Sequence, residues 1–267
     1  MASLPGEEWA GGALYEQYMG RWSRMIAAPF LRWLAPPAGL RWVDVGCGSG
    51  ALCGALIDCC APQEVLGVDP SAAFVDYAAH LLPDPRARFQ VGTASEIPAA
   101  DQTFGGAVSG LVFNFLPDPE AALAEVKRVS TPGAVVGLYV WDYAERMEWL
   151  RYFWDAAIAV NSDALEADEG PRFPLCRPAA LQALFERMGF GQVSTGAIEA
   201  PAHFADFDDY WMPFVAGGRF PSPAYLLSRP PAEREAIRDH LDRVLPRAAD
   251  GSIDLAMRAW AVQGRVP

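Results

Sequence analysis

At 267 residues, 52% hydrophobic and 20% charged, the chain can build one large core with elaborations around it. Its formal net charge of -12 and pI near 4.7 disfavour a polyanionic partner, so no nucleic acid is expected. The longest nearly apolar stretch, Gly133 to Trp141, is about half a bilayer span, and no membrane insertion is expected either.

The N-terminus, Met1 to Glu8, carries neither the basic nor the apolar region of a secretory signal, which predicts a cytoplasmic protein. Residues 13–34 have a helical rhythm, with Leu14, Tyr18 and Trp22 on one face and Phe30, Leu31 and Leu34 continuing it. Arg41 to Gly46 reads as a first strand, and Gly50 to Cys60 as a helix with Leu52, Ala55, Leu56 and Cys59 on its buried stripe. Between them lie Gly46, Gly48 and Gly50. Glycines at alternate positions between strand and helix let the backbone approach a ligand closely and present free N–H groups, which suits a nucleotide-like molecule. Gly46, Gly48 and Ala51 also satisfy the dinucleotide spacing G-x-G-x-x-G/A, so the glycines alone leave the ligand open. Asp44, two residues before the first glycine, adds a carboxylate that can meet an ammonium group. The cysteines at 47, 53, 59, 60 and 176 show no Cys-x-x-Cys pairing, and His80, His203 and His240 are far apart, so neither disulfides nor a metal site is expected.

Val65 to Asp69 is the second strand, followed by Pro70-Ser71 and a helix carrying Phe74, Ala78 and Leu81. A carboxylate at the end of this strand can accept from both hydroxyls of a ribose, because two oxygens meet two adjacent donors. Arg88 to Gly92 is the third strand, with Thr93-Ala94-Ser95 in the loop beyond, and Phe104 to Ser109 is the fourth. Residues 109–115 fall at the carboxyl end of that strand, where open α/β sheets bind ligands. Asn114 is polar within an apolar run, so it either satisfies a backbone group or faces a substrate. Asp118 caps a helix with Leu123, Val126 and Val129 inside. Thr131 to Gly133 is a turn, and the fifth strand from Ala134 ends on Trp141-Asp142-Tyr143. Residues 144–176 form an insertion with a helix marked by Met147, Leu150, Arg151, Phe153 and Trp154. A helix from Pro178 with Leu181, Leu184, Phe185 and Met188 inside ends at Gly189, and Phe190 to Ala197 is the sixth strand. A second insertion, 201–248, ends in a helix marked by Ile237, Leu241, Val244 and Leu245, and 251–264 is the last strand. The aromatics of the insertions suit either a planar or lipophilic acceptor or a core of their own.

Asp44 with the three glycines, Asp69-Pro70-Ser71, Gly92-Thr93-Ala94 and Pro132-Gly133 together resemble the S-adenosylmethionine-dependent methyltransferases of the Rossmann-like class, in the bacterial group related to the ubiquinone and menaquinone C-methyltransferases. The resemblance covers residues 13–142. The tail from 178 onward, with Asp208-Asp209-Tyr210-Trp211 and Asp250-Gly251-Ser252, looks like an uncharacterised small-molecule branch of that group. The resemblance implies an α/β fold: a doubly wound, seven-stranded, mostly parallel sheet with an antiparallel edge strand and helical lid insertions. It implies a single methyltransferase domain over 1–267, with a lid helix at 13–34, acting as monomer or homodimer on a small-molecule acceptor.

For the S-adenosylmethionine cofactor the resemblance implies contacts from Tyr15, Met19 and Arg21 in the lid helix, from Asp44, Gly46, Cys47, Gly48 and Gly50, and from Asp69, Pro70 and Ser71. Thr93, Ala94, Ser95, Ser109, Gly110 and Leu111 complete that set, with Thr93 standing where the family usually carries the aspartate that binds the adenine amino group. Asn114, Trp141 and Trp211 are the acceptor-side candidates, and Asp142, Tyr143 and His203 the candidate bases. The shared glycine spacing and Asp69 keep an NAD-dependent oxidoreductase as an alternative. Thr93 and the lack of an obvious base keep a non-catalytic S-adenosylmethionine-binding protein as another.

Overall fold

The computed structural model describes residues 19–216 and 220–267. In chain order the elements are α1 (Arg21–Leu34), β1 (Arg41–Val45), α2 (Ala51–Cys59), β2 (Glu64–Asp69), α3 (Ala72–Leu81), β3 (Ala87–Val91), β4 (Phe104–Gly110), α4 (Pro119–Val129) and β5 (Ser130–Trp141). There follow α5 (Glu148–Val160), α6 (Glu169–Arg172), α7 (Pro178–Arg187), β6 (Gly191–Phe204), α8 (Phe207–Ala216), α9 (Pro221–Ser228), α10 (Pro231–Val244) and β7 (Ile253–Arg265). Among the described residues no helix is long and apolar enough to cross a membrane. The chain divides into two compact units: a sheet unit of 22–141, 175–198 and 259–267, and a helical unit of 142–174 and 199–258 together with the segment ending at Arg21.

In the sheet unit the seven strands run in the order β3-β2-β1-β4-β5-β7-β6. β1 pairs in parallel with β2 and β4, β2 with β3, and β4 with β5, whereas β7 is antiparallel to β5. The sheet is thus seven-stranded and mostly parallel, as expected, and β7 lies second from the edge with β6 outside it. Strand order reverses between β1 and β4, so their carboxyl ends diverge there and leave a crevice for a ligand. Val43, Val45, Val65, Val68, Val108 and Val135 are all buried, because strands covered on both faces read as continuous apolar runs. α1 lays Phe30 and Leu34 against Gly137 of β5, where a Cβ would come within 2.8 Å of Leu34, and Phe30 packs on the Tyr139 ring at 4.7 Å.

Several sequence expectations change in detail. The buried stripe of α2 is Leu52, Cys53, Leu56 and Ile57, with Cys59 exposed, because the helix turns its 52/53/56/57 seam inward rather than 52/55/56/59. In α3, Phe74, Val75 and Ala78 are buried and Leu81 is 49% exposed. Thr131 to Gly133 is an irregularity inside β5 rather than a turn before it: the register with β4 jumps from Phe104–Ser130 to Gly106–Val135. The sixth strand runs on to Phe204, so residues 201–204 are strand and not the start of an insertion. In α10, Ile237 and Leu241 are buried and Val244 is exposed. Residues 13–18 of the expected lid helix lie outside the described residues.

The helical unit has its own aromatic core. Trp149, Phe153, Trp154, Phe204, Tyr210 and Phe214 are each no more than 1% exposed. Phe153 stacks on Phe214 at 4.4 Å, Trp149 lies 5.3 Å from Phe214, and the Tyr210 hydroxyl donates to the Trp149 carbonyl at 2.8 Å. Large rings packed on one another in this way supply most of a small core's apolar burial. These aromatics fill the unit's interior; of those expected around an acceptor, Trp211 is half-buried, stacked 6.3 Å from Phe207.

Candidate functional site

The glycine segment turns sharply between β1 and α2, and its three glycines serve different ends. Gly46, Gly48 and Gly50 all have positive φ, at 74°, 50° and 84°, a region that costs an L side chain roughly 1–2 kcal/mol. A Cβ at Gly46 would sit 2.5 Å from Val112 Cγ2, so this glycine also lets the segment after β4 approach. At Gly48 a Cβ would meet nothing within 4 Å: the backbone there faces open space.

The segment is fastened to the end of β2. The Gly46 and Cys47 N–H groups both donate to the Val68 carbonyl, at 2.8 and 3.0 Å. The Gly48 N–H donates to Asp69 Oδ2 at 3.1 Å, and the Ser71 N–H to Asp69 Oδ1 at 2.9 Å. Asp69 therefore braces two adjoining turns while Ser71, not Asp69, caps α3 by accepting from the Phe74 N–H. Burial raises the Asp69 pKa above its usual range, opposed by the Ser71 and Gly48 N–H groups. Pro70 is exposed between them. On the other side of the crevice the Ser109 hydroxyl donates to the Val45 carbonyl at 2.7 Å, joining β4 to β1. Leu111 adopts φ 63°, and its N–H donates to the Tyr139 carbonyl at 2.8 Å. A non-glycine in this conformation marks strain held by its surroundings, of a kind that clusters at ligand sites. At Gly110 a Cβ would fall 2.5 Å from the Tyr139 hydroxyl, so β4 needs a glycine there.

At the centre is Asp44, 1% exposed and paired in register with Gly67 and Val108 on its two flanking strands. Its Oδ2 accepts from the Cys53 thiol at 3.1 Å, while Oδ1 is buried without a hydrogen bond. Among the described residues no cation pairs with it. Burial lifts its pKa to about 7, with the Cys53 thiol pulling down and the Asp69 charge pushing up. A buried carboxylate oxygen without a partner is costly unless something arrives to meet it. Nearby, both polar atoms of the Asn114 amide are buried without a partner in the short 3-10 turn Phe113–Phe115, as is the Trp141 indole N–H at the end of β5. The backbone-satisfying reading of Asn114 is thereby removed. The Thr93 hydroxyl, beyond β3, is exposed and lies 3.3 Å from the Ser95 hydroxyl; Ala94 sits between them, half-buried, in a turn bridged by Thr93 and Glu96.

The sheet unit thus gathers Asp44, Gly46, Cys47, Gly48, Gly50, Asp69, Ser71, Ser109, Gly110 and Leu111 around the point of strand reversal. Pro70, Thr93, Ala94, Ser95, Asn114 and Trp141 belong to the sheet unit as well, whereas Met19, Arg21, Asp142, Tyr143, His203 and Trp211 belong to the helical unit and Tyr15 lies outside the described residues. Met19 is buried, and Arg21 is held by Asp209 at 3.1 Å and lies 4.8 Å from the Phe204 ring centre. A carboxylate ligand at Arg21 has to compete with Asp209. Asp142 is 1% exposed, with Oδ1 accepting from the Glu145 N–H at 3.1 Å and Oδ2 lying 3.4 Å from Arg258. Burial raises its pKa, against the Glu145 N–H and the Arg258 charge. Tyr143 is buried with its ring 5.5 Å from Phe173. His203 is a strand residue whose Nδ1 lies 2.8 Å from Asp254, with side chains 62% and 70% exposed. Sequence reasoning missed Cys53, Val112 and Tyr139; each is an apolar-looking residue whose importance comes from what it touches.

The lining fits S-adenosylmethionine on the structure's own terms: an orphaned buried carboxylate oxygen, open space beside the glycine backbone, and a second carboxylate, Asp69, at the end of β2. A methyltransferase domain family matches residues 43–138. The chain is 36% identical over 120 residues to an uncharacterised methyltransferase of Mycobacterium bovis, covering 45% of this chain and 47% of that protein. It is 31% identical over 102 residues to a demethylmenaquinone methyltransferase of a Roseiflexus species, covering 38% of this chain and 43% of that one. The chain thus spans about half the length of these curated relatives. Among solved structures it is similar to phosphoethanolamine N-methyltransferase 2 of Haemonchus contortus in complex with phosphomonomethylethanolamine and S-adenosylhomocysteine, with a TM-score of 0.59, 16% identity, and coverage of 96% of this chain and 57% of that one. Residues 43–138 therefore carry a methyltransferase domain, on a chain that takes the fold of the Rossmann-like methyltransferases.

Proposed function

We propose that the protein transfers a methyl group from S-adenosylmethionine to a small-molecule acceptor. The observation that carries this reading is the buried, unpartnered Oδ1 of Asp44 at the strand reversal, beside a glycine segment open to a ligand. Asp44 meets the ammonium group of the cofactor, and the Gly46–Gly50 backbone accommodates its methionine half. Asp69, already oriented by two N–H groups, has lone pairs left for the ribose hydroxyls. Thr93, Ala94 and Ser95 border the adenine, with hydroxyls and backbone replacing a carboxylate. Asn114, which offers both a donor and an acceptor, and the Trp141 indole N–H recognise the acceptor.

When bound, the cofactor supplies an activated methyl on a sulfonium. The chain's share of the work is to align the acceptor with that methyl, fix its approach and exclude water, which is where most of the rate of an in-line displacement comes from. Asp142 has its two oxygens engaged by Glu145 and Arg258, and His203 is exposed. Alignment rather than proton removal is accordingly the leading contribution.

Calorimetry with S-adenosylmethionine, S-adenosylhomocysteine and NAD tests this. Both sulfur cofactors are expected to bind and NAD is not; NAD binding alone overturns the reading. Asp69→Ala is expected to weaken S-adenosylhomocysteine by about 1.5–3 kcal/mol, the usual cost of losing hydrogen bonds to a charged group. Formation of S-adenosylhomocysteine against a panel of acceptors then distinguishes turnover from binding alone.

A further inference from the structure

We propose that Cys53 is a positioning residue for the cofactor site, its thiol holding Asp44 Oδ2 so that Oδ1 is presented, ionised, to the ligand's ammonium group; this rests on the methyl-transfer reading above. Cys53 stands in the first turn of α2, fully buried, with its Sγ 3.1 Å from Asp44 Oδ2. Among the described residues the other oxygen has no hydrogen-bond partner. A carboxylate turns easily about its terminal bond, and the Cys53 thiol on Oδ2, beside the Cys53 backbone N–H that also acts on this carboxylate, favours the orientation in which Oδ1 faces the ligand. A donor to a carboxylate also favours its charged form. In a site this buried that preference matters, because burial has already lifted the Asp44 pKa to about 7.

The titratable groups acting on Asp44 are few. Cys53 faces it from α2, Asp69 from the end of β2, and the Cys47 thiol of the glycine segment, whose Sγ lies 3.9 Å from the Gly48 carbonyl, acts in turn on Cys53. β4, on the opposite flank, contributes no charged residue. The Cys53 thiol is pushed well above its usual range by the neighbouring Cys47 thiol and by burial, so Cys53 keeps its proton and remains a donor; Cys47 is also raised, with Cys53 pulling down and burial pushing up. Asp69 is a like charge and opposes ionisation of Asp44. Cys53 is therefore the side chain that works in favour of the charged form.

The test is S-adenosylhomocysteine affinity measured by calorimetry from pH 5.5 to 8.5 for the wild type, Cys53→Ser, Cys53→Ala, Cys53→Val and Asp44→Asn. Cys53→Ser retains a hydroxyl donor and is expected to keep the wild-type profile. Cys53→Ala and Cys53→Val are expected to bind about 5–10-fold more weakly at pH 7, the effect of one hydrogen bond, and to recover affinity only at higher pH. Asp44→Asn is expected to lose the pH dependence. The valine variant fills the space of the thiol, so a packing defect in the alanine variant does not decide the matter. Profiles for Cys53→Ala and Cys53→Val that superimpose on the wild type overturn the positioning role. A wild-type protein that binds no S-adenosylhomocysteine at any pH overturns the methyl-transfer reading instead.

Discussion

In the helical unit the carboxylate of Asp168, 3% exposed, meets Arg151 through two hydrogen bonds of 2.7 and 2.8 Å and accepts a third from the Gly170 N–H at 2.8 Å. In the sheet unit Asp44 is at least as buried, yet it meets a single thiol and keeps one oxygen bare. Both carboxylates are deep in protein, where an unpaired charge is expensive. The first is compensated within the fold and needs nothing else. The second is left incomplete at the crevice where strand order reverses, which is what a site awaiting a cation requires.

The sharpest way to probe the compensated side is Arg151→Ala. It strands the Asp168 carboxylate, and a broken buried pair costs about 3–5 kcal/mol. Urea unfolding near neutral pH is expected to show that loss; a change below 1 kcal/mol would mean that Asp168 does not depend on its arginine.

On the incomplete side, removing the charge has the opposite sign for stability. The folded-state pKa of Asp44 is raised from 3.8 to about 7, so between those values the folded protein holds a proton that the unfolded chain has released. Stability from this group is present at low pH and is lost as pH rises through about 7. Asp44→Asn is expected to remove that slope and to leave the protein without ligand more stable at pH 8 by roughly 2–4 kcal/mol, while weakening cofactor binding. A variant that gains no stability would show that Asp44 is compensated after all.

Glu169 makes the same point inside the helical unit. It is 3% exposed, accepts from the Trp154 indole N–H, and burial lifts its pKa from 4.5 to about 8, the Trp154 bond opposing. It escapes its cost by holding a proton rather than by pairing. Wild-type stability is expected to fall as pH rises through about 8, and Glu169→Gln to flatten that fall, a gain of roughly 2–4 kcal/mol at pH 9 by thermal or urea unfolding. The rule that the helical unit compensates its buried charge survives only if that proton is present at neutral pH.

How much of this was legible in the sequence follows from the range of the interactions involved. Asp44, the glycines and Asp69 are local to strand ends, and the strand–turn–helix pattern displays them directly. The buried strands β1, β2 and β5 follow from their apolar runs in the same way. Cys53 was hidden because a cysteine on a helix stripe looks like packing; only the fold brings it within 3.1 Å of Asp44. The aromatics of the insertions had two readings, acceptor enclosure or core, and chain order cannot separate them. Contacts such as Phe153 with Phe214, some sixty residues apart in sequence, decide for the core. The continuation of β6 through Phe204 was missed because the strand is largely exposed and so lacks the apolar run by which buried strands are read.

The smallest expected effect belongs to His203, the sequence's candidate base. Its imidazole and the Asp254 carboxylate, paired at 2.8 Å, are both mostly in solvent. Water screens such a pair and the side chains lose freedom in making it, so it stabilises the fold by no more than about 0.5 kcal/mol. A base that removes a proton in the transition state is instead expected to contribute about 10²–10⁴ in rate. His203→Ala should therefore leave thermal stability nearly unchanged and, once an acceptor is known, leave kcat within about twofold of the wild type, a difference of only about 0.4 kcal/mol in the barrier. A hundredfold fall in kcat with an unchanged melting temperature would place the proton chemistry on an exposed strand of the helical unit, and the contrast between compensated and incomplete carboxylates would no longer identify where the protein works.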